Sequence, residues 1–108
     1  MPEKLCYVSN KEPFEYTLGI ISGKWKMKNI YLLSCSGTVR YGVLMKNIDG
    51  ITHKMLSTQL DELEAEEIIA RVEYPQIPPK VEYSLTRKGE SLIPIVTAMC
   101  EWGAQQRS

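Results

Sequence analysis

YGVLMKNIDGITHKMLSTQLDELEAEEIIARVEYPQIPPKVEYSL, residues Tyr41 to Leu85, is the stretch whose reading decides the fold. Tyr41, Leu44, Met45 and Ile48 stand at i, i+3, i+4 and i+7, one apolar stripe on a helix. Asp49-Gly50 ends that helix, because glycine tolerates the positive φ of a sharp turn. Thr52 reads as the N-cap of a second helix, its hydroxyl placed to accept from an otherwise unpaired backbone N–H. That helix is expected from Thr52 to Glu67, with Leu56, Leu60 and Leu63 on the core side.

Two runs, Ile69–Tyr74 and Lys80–Leu85, alternate apolar with charged or polar residues, the period of strands with one buried face. Pro75-Gln76-Ile77-Pro78-Pro79 lies between them and holds half of the chain's six prolines. Proline donates nothing to a ladder, so this segment is a loop, and a stiff one. The expected register sets Tyr74 against Pro79, Glu73 against Lys80 and Arg71 against Glu82. Two opposite-charge pairs then share the exposed face, each contributing roughly 0.2–1 kcal/mol. Ala70, Val72, Val81 and Tyr83 share the buried one. Helix, tight turn, helix and hairpin together predict an α+β fold, a mostly helical winged helix-turn-helix with a small antiparallel β wing.

In such a fold the second helix is the element that fits a DNA major groove. Its outer side begins with His53, Lys54, Ser57 and Thr58, which can hydrogen-bond phosphates or base edges. Its far end carries Asp61, Glu62, Glu64, Glu66 and Glu67, which oppose the helix dipole and repel phosphate. The amino end, with Thr52, is therefore the end expected against a duplex. Arg40, and the wing through Gln76 and Lys80, are expected on the sugar–phosphate backbone.

The 108 residues suit one domain, 1–108, burying roughly two-thirds of its unfolded surface. Lys plus Arg equals Asp plus Glu at 13 each, so a nucleic-acid binder must segregate its charge. It does: Arg40, Lys46 and Lys54 face only Asp49 before Leu60, and five acids follow within the next seven positions. A balance of zero argues against coating DNA without sequence preference. Cys6, Cys35 and Cys100 form no metal-ligand spacing, and the opening Met-Pro-Glu-Lys has no apolar leader, so a reducing cytoplasm is expected. Cys35 and Cys100 are expected to pack as small hydrophobes. No metal set, catalytic triad, phosphate loop or dinucleotide fingerprint is visible. No cofactor, no enzymatic activity and no membrane span are expected.

The flanks add helices. Pro13 opens one carrying Phe14, Leu18 and Ile21, and Ser22-Gly23 interrupts it. A second, from Lys24 to about Ser36, sets Met27, Ile30, Tyr31 and Ser34 on one stripe, with Trp25 at its start. Lys24, Lys26 and Lys28 spread around it and make no continuous basic face. Thr38-Val39-Arg40 reads as a short third strand beside the wing. Thr86 is expected to cap a long final helix bent at Pro94. Its band of Leu92, Ile95, Val96, Met99, Cys100, Trp102 and Gly103 is wider than one core face needs, which predicts a homodimer.

Gly23-Lys24-Trp25-Lys26, Arg40-Tyr41, Gly50–Leu56, Gln59–Glu64, the wing Tyr74–Thr86, Leu92-Ile93-Pro94 and Trp102-Gly103 resemble the HxlR family in order and spacing. The resemblance runs from Ser22 to Gly103. It implies a bacterial or archaeal transcription regulator of the MarR-like winged-helix group, a homodimer joined mainly by terminal helices on a palindromic operator. It also implies an electrophile or oxidant as effector in several members, sensed through an N-terminal thiol, for which Cys6 is the candidate here. Cys6 precedes Tyr7 where the family commonly has proline. His53 stands where the family usually has glutamine, so base preference does not carry over. A small-molecule effector could alternatively sit between core and terminal helices, with Trp25 and Trp102 as wall residues. The reading is a sequence-specific, homodimeric DNA-binding transcription regulator. Its rivals are a winged-helix module that binds protein and not DNA, and a small enzyme or ligand carrier.

Overall fold

The computed structural model describes residues 11–23 and 25–107. Helix α1 (Lys11–Ile21) contributes Ile20 to the core, and α2 (Lys26–Ser36) contributes Ile30 and Leu33. The buried stripe of α2 runs through Asn29, Ile30 and Leu33, so Tyr31 is exposed, contrary to the expected stripe. Trp25 sits at the N-cap position of α2 and is buried. Gly37, at φ +82°, ends α2 by donating its N–H to the Leu33 carbonyl, a conformation only glycine adopts without strain.

Strand β1 (Val39–Arg40) runs directly into α3 (Tyr41–Asn47), where Leu44 is fully buried and Ile48 follows it into the core. Gly50, at φ +85°, makes the turn. Helix α4 (His53–Ala65) is capped as expected: Thr52 Oγ1 accepts from Met55 N at 3.1 Å. Leu56, Leu60 and Leu63 are each no more than 1% exposed. The helix stops short of the predicted Glu67, which turns to φ +62°. Lys26 ties α2 to α4 through Glu62 at 2.9 Å.

Strands β2 (Ile69–Tyr74) and β3 (Lys80–Leu85) form the wing, and the sheet order is β1-β3-β2, all antiparallel. The third strand is therefore where it was expected. The register is not. Tyr74 pairs with Lys80, Glu73 with Val81, Val72 with Glu82 and Arg71 with Tyr83, one residue from the predicted alignment. The buried entry through Ile68 and Ile69 sets which face of β2 turns inward, and Pro79, with no N–H for a ladder, leaves the pairing to end at Lys80 with five loop residues. The core face thus carries Ile69, Val81, Tyr83 and Leu85. Val72 and Tyr74 lie on the other face, 46% and 38% exposed. The ion pairs change too. Arg71 meets Glu73 at 3.1 Å and Lys80 meets Glu82 at 3.3 Å, each along one strand and not across the hairpin.

Beyond the wing, Thr86 caps only the short α5 (Arg87–Glu90), its oxygen accepting from Gly89 N at 3.0 Å. Helix α6 (Ile93–Arg107) starts afresh after a turn. Pro94 falls in its first turn, where the missing N–H has no partner to lose, so it opens this helix and bends nothing. Of the apolar band only Val96 is buried, while Ile95, Met99 and Trp102 are exposed. Cys35 and Cys100 are exposed as well, which corrects their expected packing. Cys6 lies outside the described residues.

Candidate nucleic-acid interface

The amino end of α4 is open to solvent. His53, Lys54, Ser57 and Thr58 are all exposed there, on the side opposite Leu56 and Leu60. That follows from the helical period, which sends i and i+4 to one face and alternates leucines with polar residues around it. Thr52 is exposed, but its oxygen already serves the cap, so its part is to hold the helix end in place.

Between α4, α3 and the wing lies a cleft of about 1140 Å³. Arg40, Ser57, Gln76 and Lys80 line it, and so do Tyr41 and Lys46. Four predicted residues are thus gathered from β1, α4 and the wing. His53, Lys54, Thr52 and Thr58 are not among the lining residues. Arg40 is exposed at the N-cap of α3, opposite Glu82 on β3. Gln76 is exposed in the wing loop beside Ile77, whose side chain is fully in solvent. Lys80 is half-buried, held by Glu82 and set over the Tyr74 ring at 4.8 Å. Glu82 in turn accepts from the Tyr74 hydroxyl and raises that phenol's pKa.

Asp61 and Glu64 also line the cleft, facing Arg71 and Tyr83 across it. Burial raises the Tyr83 pKa, and the Arg71 guanidinium opposes that rise. The hydrogen bond to Tyr83, with Glu73 behind it, raises Arg71 in return. Asp61 and Glu64 are exposed, so the cleft has an acidic stretch on α4 beside the basic residues Arg40, Lys46 and Lys80.

Sequence reasoning missed Tyr41 as a polar partner, because its stripe placed it with the core. Its hydroxyl lies 3.2 Å from each of His53 Nδ1, the His53 carbonyl oxygen and Ser57 Oγ. The clue was available: a half-buried tyrosine needs a partner for its hydroxyl. A second groove, about 740 Å³, runs between α2 and α6 and is lined by Met27, Tyr31, Leu32, Cys35, Met99 and Cys100. Cys35, and more weakly Cys100, push the Tyr31 phenol above its ordinary pKa. Among the described residues, no cluster of His, Cys, Asp or Glu could hold a metal ion, and no helix is long and apolar enough to cross a membrane.

Comparison with known proteins fits this geometry. The chain is 53% identical over 96 residues to an HTH-type transcriptional regulator of Halalkalibacterium halodurans, covering 89% of this chain and 85% of that one. It is 52% identical to the HTH-type regulator YdzF of Bacillus subtilis, covering 91% and 90%. The reduced form of the redox regulator HypR superposes with a TM-score of 0.84 at 46% identity, over 90% of this chain and 95% of that one. The oxidized form of HypR gives 0.80. A family model described as HxlR-like helix-turn-helix matches residues 20–108. A winged helix-turn-helix with its second helix open at the amino end, shared along nearly the whole chain with these regulators, makes this protein a transcription regulator of the HxlR-like helix-turn-helix family.

Proposed function

We propose that the chain acts as a homodimer that sets two copies of α4 into successive major grooves of a palindromic operator. The observation that carries this is the exposed amino end of α4, with His53, Lys54, Ser57 and Thr58 outward and a wing beside it. Lys54 and the backbone-facing Arg40 neutralise phosphate, Gln76 and Lys80 approach the flanking strand, and Ser57 and Thr58 reach base edges. All 108 residues then serve as one domain, with the terminal helices contributing the dimer contact.

Support for the dimer comes from large apolar side chains that stay exposed among the described residues. Tyr16 and Leu18 on α1 and Met99 and Trp102 on α6 are 42–67% exposed. The radius of gyration, 16.1 Å, exceeds the roughly 13 Å of a compact domain of this size. Two-fold symmetry would set the half-sites one helical turn apart, or a multiple. Trp102→Glu should weaken self-association by about 30-fold or more, as loss of a central tryptophan anchor does. Sedimentation across a concentration series would read this, and a dimer of unchanged affinity would exclude α6 from the contact.

Duplex fragments selected by the purified protein, with and without an oxidant, test the regulator reading. Recovery of one two-fold symmetric motif supports it, and recovery of random sequence opposes it. HypR is a redox regulator by name, which supports an oxidant or electrophile as effector here, with Cys6 as its sensor. Lys54→Ala should weaken operator binding and make the log–log salt dependence shallower by about one unit. An unchanged slope would place the ammonium away from phosphate.

A further inference from the structure

Tyr41 stands over the first turn of α4. Its ring stacks on the His53 imidazole with centroids 5.9 Å apart and planes 11° from parallel. Its hydroxyl meets three atoms at 3.2 Å: His53 Nδ1, the His53 carbonyl oxygen and Ser57 Oγ. A phenol has one proton to donate. The carbonyl oxygen can only accept, so Tyr41 donates there. The phenol oxygen is then an acceptor for its two other neighbours. The Ser57 hydroxyl can rotate to donate. Nδ1 satisfies the contact only as N–H.

We propose that Tyr41 is a positioning residue that holds neutral His53 as its Nδ1–H tautomer, so that Nε2 is offered to DNA as a hydrogen-bond acceptor. His53 is exposed, and no described residue bonds its Nε2. The group such an acceptor selects is an amine on a base edge. In the major groove that means N6 of adenine or N4 of cytosine. Guanine presents N7 and O6, both acceptors, and phosphate oxygens are acceptors too, so neutral His53 discriminates against them. The other tautomer would reverse this preference. Ser57, one helical turn along, steadies the phenol and not the imidazole, since its contact is with Tyr41. The inference rests on α4 meeting DNA by its amino end.

The chain has one histidine, so its imidazole nitrogens give a single pair of resonances. In the ¹⁵N-labelled full chain, at a pH where that spectrum shows the neutral ring, the proton should sit on Nδ1. Tyr41→Phe keeps the stacked ring and removes the hydroxyl, and should shift the population toward Nε2–H. Ser57→Ala keeps the Tyr41–His53 contact and should leave the tautomer unchanged. At the same pH, selection from random duplexes should give the wild type one adenine or cytosine preference per half-site, of about tenfold. Tyr41→Phe should lose that preference and keep its salt dependence. An Nε2–H ring in the wild type, an unaltered tautomer in Tyr41→Phe, or the same base preference in both proteins overturns the proposal. A wild type that selects no duplex overturns the readout together with the DNA-binding reading. The tautomer spectrum, recorded without DNA, separates that failure from a failure of Tyr41.

Discussion

Replacing Gly89 by alanine should cost about 3 kcal/mol of folding stability, at the upper end for a forced overlap in a packed interior. Gly89 is buried in α5, and a Cβ there would overlap the carbonyl oxygen of Ile68 and lie 3.1 Å from Leu85 Cδ2. The oxygen belongs to backbone at the root of the wing and already accepts from Thr86 N at 3.0 Å, so it has little room to yield. Gly89 N is itself held by the Thr86 hydroxyl. The methyl group must therefore push α5 away from the hairpin or break the cap that anchors it. For a domain of this size the melting temperature should fall by about 10 °C or more. A circular-dichroism melt within about 3 °C of wild type would show that α5 can move off the wing at little cost.

Leu60→Ala should cost roughly 2–5 kcal/mol, because it removes three carbons from a side chain 1% exposed at the centre of the core. The same helix carries the proposed DNA contacts on its outer face, so the comparison with Thr58→Ala is informative. Thr58 is exposed, and its truncation should change stability by no more than about 0.5 kcal/mol. Urea titration at one protein concentration separates the two. Leu60→Ala should lower the midpoint with an unchanged slope, and Thr58→Ala should leave both as they are. A Leu60→Ala midpoint equal to wild type would mean that the core closes around the missing group. The pair divides α4 into a side that holds the fold and a side that is available to a partner.

The two sides of α4 were legible in the residues themselves. Leucines at 56, 60 and 63 mark one, and short polar residues at 53, 54, 57 and 58 mark the other. The wide apolar band of the last helix already predicted a dimer, and the HxlR resemblance added the palindromic operator as an expectation, which no periodicity contains. The hairpin was legible as a hairpin but not in its register. Ala70, Val72 and Tyr74 on β2 offered an apolar set, yet the chain leaves α4 with Ile68 and Ile69 buried, and that entry decides which face of β2 turns inward. Pairing Ile69 with Leu85 and Arg71 with Tyr83 follows from it. The cysteines show the same limit. An apolar neighbourhood in sequence suggested packing for Cys35 and Cys100, but both flank a groove between α2 and α6 that exists only once the two helices are laid together.

By itself the sequence determined the elements: the turn at Gly50, the cap at Thr52, the core stripe of α4 and the proline loop of the wing. Each is encoded within one or two helical turns or one strand, where steric limits and backbone bonding act on neighbours. Tertiary structure alone decided the strand register, the placing of Asp61 and Glu64 along one cleft with Arg71, and the meeting of Tyr41 with His53 and Ser57. Those outcomes join residues of separate elements through a shared core, and no local propensity ranks one such closure above another.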